Sequence, residues 1–548
     1  MLPGCIPWPE EFARRYRERG YWEDITLFEM FKRSAAAAPN KVAIVDGERR
    51  CSYGELLRQA EQLAAGLWQL GLRPTERVVF QFGNSLDFVV TFFALLRIGV
   101  IPVMVLPAHR RGEIIHFARH AQAVAHFVPA STEKFDFPAM AQELASEFAQ
   151  LRSIIVAGPA GAGALPLREL RAAGATAEAK QALNAVPEPA ADEVALMLLS
   201  GGTTGMPKLI PRTHNDYVYT ARRSGEGTGF GPDTVFLAVL PMAHNYTLAC
   251  PGLLGTLAHG GTTVIAPGTA AEAVFPVIER ERVNVLGATV PLVARWLDCD
   301  LFARHDLGSL RVFINGGAKL APELRRRVEE RFACTYQENF GTGEGLVNMT
   351  RLGDPESVRF FSSGRPISDG DEIKVIDERG NELRDGQIGE LAVRGPNTIR
   401  GYYNAPQATE AAFTADGFYR MGDIVRLVGG YIYLEGRRKD LINRGGEKIS
   451  CEEIENYILA HPKVMSTCVV AMPDAVFGEK ACAFVILREG CALTLPELVA
   501  FLEARHIARF KLPERLEIVA EFSLSPAGKI LRRELRERIA RALKPSEA

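Results

Sequence analysis

A chain of 548 residues is too long for one hydrophobic core, which predicts one large domain and at least one smaller one. With 47% hydrophobic and 24% charged residues, general disorder is excluded, and 64 Lys and Arg against 66 Asp and Glu leave a formal charge of -2. No global field recruits nucleic acid or an anionic membrane, so any anionic ligand has to be held by local groups.

The opening segment, MLPGCIPWPEEFARRYRERGYW, carries charge and proline where a secretory signal has a basic head and an apolar run. Nine scattered cysteines without a C-x-x-C pair support neither a disulfide framework nor a zinc site, and a reducing cytoplasm is the expected setting. From residue 25 to about 156, amphipathic stretches such as 53–70 alternate with apolar runs such as 78–82 and 101–106, which is α/β grammar. The most apolar stretch, 88–106, is broken by Arg97, Gly99 and Pro102 and predicts a buried helix and a buried strand rather than a membrane span. Residues 157–191, with GPAGAGAL and VPEPAAD, predict a surface crossing that contains one short helix. The run 194–199 reads as a strand, and α/β alternation continues to about 365. A small β-subdomain is predicted over 373–425, and the charged EGRRKDLINRGGEK after Leu434 predicts a hinge loop. A helix over 452–459 and strands near 466–472 and 481–487 predict a compact α+β domain. The expected architecture is therefore α/β: a large domain over 1–436, a hinge at 437–440 and a small α+β domain over 441–548.

Directly after the 194–199 run comes Ser200-Gly201-Gly202-Thr203-Thr204-Gly205-Met206-Pro207-Lys208. Glycines let a loop wrap closely round polyphosphate, hydroxyls and backbone N–H groups point at anionic oxygens, and Lys208 adds a cation. Met206 and Pro207 separate the last glycine from the lysine, so this is not a Walker loop. Further along stand Asn339-Phe340-Gly341-Thr342-Gly343-Glu344, Tyr419-Arg420-Met421-Gly422-Asp423, Gly436-Arg437-Arg438-Lys439-Asp440, Gly445-Gly446-Glu447-Lys448 and Leu524-Ser525-Pro526-Ala527-Gly528-Lys529-Ile530. Taken singly, most of these read as turns or solvated charge runs. Their joint occurrence in this order does not.

In that order the motifs resemble those of the acyl-adenylate-forming superfamily of acyl-CoA synthetases, luciferases and peptide-synthetase adenylation domains, over nearly the whole chain. The resemblance implies ATP as substrate and Mg²⁺ as cofactor, with the Ser200–Lys208 loop on the phosphates. It implies that Gly341 and Thr342 border the nucleotide, that Glu344 holds the metal, that Asp423 accepts from both ribose hydroxyls and that Arg437 lies near the ribose. Asp440 corresponds to the pivot, and Gly445, Gly446 and Lys448 to the loop that approaches the pantetheine tunnel. Lys529 corresponds to the lysine that reaches the carboxylate and the α-phosphate, stabilising charge as pyrophosphate leaves. Phe340 and Gly343 depart from the family's Tyr-Gly-x-Thr-Glu block.

Pro241-Met242-Ala243-His244-Asn245-Tyr246, followed by Cys250-Pro251-Gly252, resembles the stand-alone aryl-acid ligases of siderophore assembly, which activate 2,3-dihydroxybenzoate or salicylate. That likeness implies a gating role for His244, contact of Asn245 with the ortho hydroxyl and carboxylate, and Tyr246 in the pocket. Gly316, Gly317 and Ala318 match the stretch along the flat ring and adenine. Cys250 matches the salicylate pattern and Val347 the dihydroxybenzoate pattern, so the choice of acid stays open. Asn339 stands where this branch usually carries valine; with Thr342 and Gly343 it points to a further ring substituent, as in 3-hydroxyanthranilate. The implied acceptor is the phosphopantetheine of an aryl carrier protein supplied in trans, with free CoA as the alternative; neither nucleic acid nor membrane is an expected partner. His116 and His120 lack the intervening glutamate of a metalloprotease helix, and GEGTGFG at 225–231 reads as a glycine-rich turn rather than a dinucleotide fingerprint.

Overall fold

The computed structural model describes residues 1–200, 207–317, 319–437, 440–445, 447–505, 507–525 and 529–543. Two large sheets carry the N-terminal part. In one, Leu165–Pro166, Ser153–Ala157, Ala125–Pro129, Arg77–Phe80, Ile101–Met104 and Val194–Leu199 run parallel, and Leu209–Thr213 closes the edge antiparallel. In the other, a parallel centre of Val42–Asp46, Thr262–Ile265, Val235–Ala238, Val285–Ala288, Val312–Gly316 and Thr335–Thr342 is flanked by antiparallel edges. The apolar stretch at 88–106 resolves into the helix Leu86–Arg97, every residue of it buried except Asp87, and the strand Ile101–Met104. Parallel strands buried on both faces need continuous apolar runs, and these two elements supply them.

A four-stranded antiparallel sheet, Glu372–Ile376, Ile388–Arg394, Tyr419–Val428 and Tyr431–Arg437, forms the small β-layer. The C-terminal domain is a separate α+β unit. Its sheet orders Glu447–Ser450, Leu441–Arg444, Gly478–Leu487 and Val464–Asp474, with Arg515–Ile518 parallel to Gly478–Leu487. Its core includes Ile442, Ile449, Ile454 and Leu498.

Three expectations are corrected. The segment 157–191 contains two helices, Leu167–Ala173 and Ala177–Asn184, whose Leu167, Ala179 and Leu183 are buried; it packs rather than merely crossing the surface. Residues 225–228 of the glycine-rich turn are the last turn of the helix His214–Thr228. There Gly225 meets His259 so closely that a β-carbon would stand 2.5 Å from the ring, so the glycines mark a close packing face. The charged stretch after Leu434 is largely strand: Tyr431–Arg437 ends within its first residues, and Leu441–Arg444 pairs with Glu447–Ser450, with Ile442 and Ile449 both buried.

Candidate active site

Ligands of parallel α/β sheets bind beyond the carboxyl ends of the strands. The site residues cluster there. Val194–Leu199 and Leu209–Thr213 pair up to Leu199 opposite Leu209, and Ser200 closes the ladder. Its N–H donates to the Lys208 carbonyl and its Oγ accepts from the Lys208 N–H, both at 2.9 Å. This hairpin base fixes both ends of the glycine-rich loop; Gly201, Gly202, Thr203, Thr204 and Gly205 lie outside the described residues, as do Ala318 and Gly446.

Lys208 Nζ stands 5.0 Å from the centre of the Tyr402 ring, and the Tyr402 hydroxyl donates to Glu344 Oε1 at 2.9 Å. One tyrosine thus joins the phosphate-loop cation to the buried carboxylate. Sequence reading missed it, because no spacing rule links Tyr402 to either partner. Glu344 occupies the turn between Thr335–Thr342 and Gly345–Met349, where Thr342 Oγ1 donates to the Gly345 carbonyl at 3.0 Å and Gly341 sits opposite Val347. Among the described residues no group of three or more His, Cys, Asp or Glu is gathered for a metal. A lone carboxylate still fits Mg²⁺, which retains waters and shares its remaining ligands with substrate phosphates.

Asp423 and Arg437 face each other across paired strands, with Arg437 Nε donating to Asp423 Oδ1 at 3.1 Å; the Asp423 charge raises the arginine's pKa further. Asp423 is 1% exposed. Asp440 belongs to the next segment: Arg536 Nη2 donates to its Oδ1 at 2.7 Å, and the Cys451 thiol donates to its carbonyl at 2.8 Å. Gly445 is in the turn of the following hairpin, in which the Lys448 backbone lies opposite Asn443.

His244 caps the short helix Asn245–Ala249: its Nδ1 accepts from the Tyr246 N–H at 3.3 Å, so the proton of the neutral ring resides on Nε2. Burial, and secondarily the charge of Lys529, push the His244 pKa down to about 4, which keeps the ring neutral at pH 7. Lys529 reaches the same place from the C-terminal domain. Its Cε is 3.5 Å from where a β-carbon on Gly317 would sit, and its backbone is anchored by a Ser525 Oγ that accepts from its N–H at 3.1 Å. Tyr246 lies flat on the strand ends: its hydroxyl donates to the Ile314 carbonyl at 3.0 Å, and a β-carbon on Gly316 would stand 2.8 Å from its ring. Only glycine permits that approach.

The Asn245 side chain is held by Tyr217, whose hydroxyl donates to Asn245 Oδ1 at 2.7 Å. Tyr217 is fully buried under the Arg212 guanidinium, 4.8 Å from its ring. Arg212 also donates to the Gly343 carbonyl at 2.8 Å, and the nearest neighbours a side chain at Gly343 would meet are Ile210 and Leu198. Cys250 is buried, its thiol pushed up to about 12 by desolvation and flanked by the Asn245 side chain. Asn339 Nδ2 donates to the Cys250 carbonyl at 2.6 Å. Asn339, Gly341, Val347 and Met349 share one face of the antiparallel pair at the sheet edge. Between Tyr246, Cys250, Pro251, Gly252, Gly287 and Ile314 lies a cavity of about 10 Å³, room for roughly one water. The structure therefore brings Lys529, His244 and Gly317 together at one end and Asn245, Cys250 and Asn339 at the other, with Tyr246 and Gly316 between. Tyr217 and Arg212 were missed because one lies in a helix and the other in the strand before it, and neither belongs to a motif.

Known proteins resemble this chain in sequence and fold. The AMP-binding enzyme family matches residues 31–403, and the AMP-binding enzyme C-terminal domain matches residues 453–529. The 2,3-dihydroxybenzoate-AMP ligase of Bacillus subtilis (strain 168) is 45% identical over 544 residues, covering 99% of each chain. The salicylyl-CoA synthase / salicylate adenylyltransferase of a Streptomyces species is 43% identical, covering 97% of each chain. The apo structure of MbtA from Mycobacterium smegmatis superposes with a TM-score of 0.75 at 41% identity, covering 98% of this chain and 99% of that one. With both its sheets and its C-terminal domain accounted for, this chain belongs to the AMP-binding enzymes, the adenylate-forming superfamily.

Proposed function

We propose that the chain activates an aryl carboxylic acid of the 2,3-dihydroxybenzoate or salicylate type with ATP and passes the aryl group to a thiol. The observation that carries this reading is the placement of Lys529 at Gly317, one residue beyond the Gly316 surface on which Tyr246 lies, where its charge also acts on neutral His244. A cation there faces the junction between a carboxylate lying along the ring wall and the phosphate-loop side of the site. A carboxylate oxygen attacks the α-phosphorus, the bond to the bridging oxygen of pyrophosphate breaks, and an aryl-AMP anhydride remains. Lys529 neutralises charge on the carboxylate and α-phosphate as this happens. Glu344 would hold Mg²⁺, which would supply positive charge for the leaving polyphosphate. Asp423 takes the ribose hydroxyls and Arg437 steadies it.

In the second half, a thiolate sulfur attacks the aryl carbonyl carbon and AMP leaves. We assign the hinge to 437–440 between domains at 1–436 and 441–548, turning about Asp440 so that Lys529 withdraws and the Gly445, Gly446 and Lys448 hairpin approaches the thiol. The acceptor in this reading is the phosphopantetheine of a carrier protein in siderophore or related natural-product assembly, consistent with the 2,3-dihydroxybenzoate-AMP ligase relative. An aryl-CoA ligase acting on a substituted benzoate such as 3-hydroxyanthranilate is the second reading, favoured by the polar Asn339 in the wall and by the salicylyl-CoA synthase relative. Among the described residues no helix is long and apolar enough to cross a membrane.

ATP–pyrophosphate exchange with a panel of benzoates tests the first half. Exchange is expected with an ortho-hydroxybenzoate, and Lys529→Ala is expected to lower it by about 10²–10³, the cost of removing one group that stabilises transition-state charge. Exchange with no aryl acid overturns the substrate class, and undiminished exchange in the variant overturns the role of Lys529. Thioester formation from supplied aryl-AMP, with a carrier protein or with CoA, separates the two acceptors.

A further inference from the structure

Two amides flank Cys250, which lines the pocket, and one of them, Asn339, is pinned by a partner that can act in only one way. The Cys250 carbonyl can only accept, so at 2.6 Å Asn339 must present its NH₂ there, which turns Oδ1 the other way. That oxygen accepts no bond from any described residue. It also keeps some solvent access, although Asn339 as a whole is 7% exposed. Asn245 stands the other way round: its Oδ1 accepts from the Tyr217 hydroxyl at 2.7 Å and its side chain also bonds the Cys250 thiol, which places the NH₂ on that side. The Cys250 thiol between them is neutral and a poor hydrogen-bonding group. The wall thus reads donor at Asn245, weak at Cys250 and acceptor at Asn339.

We propose that Asn339 is a specificity-determining residue, and that its carbonyl oxygen selects aryl acids bearing a hydrogen-bond donor, hydroxyl or amino, at the ring position next to the ortho group that Asn245 contacts. This rests on the aryl-acid reading above and deepens it. An ortho oxygen accepts from the Asn245 NH₂, and a 3-hydroxyl or 3-amino group donates to Asn339 Oδ1. A 3-methyl group of similar size cannot donate and shuts water off from that acceptor, and an unsubstituted edge gains no bond to it, which is how polar pockets reject analogues. The preferred class is therefore 2,3-dihydroxybenzoate and 3-hydroxyanthranilate rather than salicylate, despite the thiol at Cys250.

The experiment measures kcat/KM for ATP–pyrophosphate exchange with salicylate, 3-methylsalicylate, 3-methoxysalicylate, 2,3-dihydroxybenzoate and 3-hydroxyanthranilate, using the wild-type chain and Asn339→Val. In the wild type the two 3-hydroxy acids are expected to exceed 3-methylsalicylate and salicylate by about tenfold or more, the worth of one neutral hydrogen bond. In Asn339→Val that advantage is expected to shrink to within about threefold, with 3-methylsalicylate improved, because the acceptor is gone. If 3-methylsalicylate equals 2,3-dihydroxybenzoate in the wild type, or the preference survives Asn339→Val, the assignment of Asn339 is overturned while the aryl-acid reading stands. If no benzoate supports exchange, both fall. Should the variant fail to fold, the isosteric pair of methyl and hydroxyl acids on the wild type still decides.

Discussion

At Asn245 the chemistry depends on how a symmetric-looking amide is held, and its Oδ1 is bonded by a residue 28 positions earlier, Tyr217. Replacing Tyr217 with Phe deletes one buried hydroxyl and leaves Asn245 free to flip. A neutral hydrogen bond contributes about 1 kcal/mol, so Tyr217→Phe is expected to raise KM for the aryl acid about fivefold to tenfold. KM for ATP and kcat are expected to change little. Steady-state kinetics with both substrates varied checks this, and an equal rise in both KM values would instead indicate general loosening. His244, Asn245, Tyr246 and Cys250 were legible in the sequence because they fall within seven consecutive positions, so their order survives without any knowledge of the fold. Tyr217 and Tyr402 were not legible, because the bonds that matter run between segments far apart in the chain.

Helices and strands decide how close these segments come. The helix Tyr53–Gln69 packs on Leu167–Ala173, and a β-carbon on Gly66 would stand 1.9 Å from the Leu170 carbonyl oxygen, a backbone atom that no rotamer change can move. Alanine at this site gains about 1 kcal/mol of helix propensity, but overpacking against backbone costs about 1–3 kcal/mol or more, so packing wins. Gly66→Ala is therefore expected to lower the urea midpoint, and a stabilised variant would contradict the packing geometry. The same physics explains the misread elements. Gly225 and Gly227 look like a turn because glycine is a poor helix former, yet here small size serves helix contact. The charged stretch after Leu434 looks like loop because its charges hide the alternation that buries Ile442 and Ile449.

In the whole molecule, the C-terminal domain is docked with Lys529 inside the site, and its helix Cys451–Leu459 brings Glu452 against the large domain. Glu452 Oε1 is sealed without a hydrogen-bond partner, and burial pushes the carboxyl up to about 7; Lys319 and Arg532 oppose the shift, Glu455 and Glu338 support it. Lys319 Nζ meanwhile donates to the Leu434 carbonyl at 3.2 Å. A carboxyl raised in the folded state contributes stability that is fully present below its free value of 4.5 and is lost as pH rises through about 7. Glu452→Gln removes this dependence. Between pH 5 and pH 8 the variant is expected to gain on the wild type by up to about 3 kcal/mol, less where solvent reaches the half-buried side chain. Thermal unfolding of both proteins across that range measures it; parallel pH profiles would show that Glu452 is not the titrating group.

The sequence by itself determined the α/β class, the order of the nucleotide motifs and the adenylate-forming resemblance, because these depend on local periodicity and on residues that act within one short loop. Only the tertiary structure decided that Lys529 reaches Gly317, that Tyr402 joins Lys208 to Glu344, that Tyr217 holds Asn245, and that the Cys250 carbonyl fixes the polarity of Asn339. Those are relations between segments from 28 to more than two hundred positions apart in the chain. A one-dimensional pattern carries which groups are present; which end of an amide is already occupied follows only once its neighbours are packed around it.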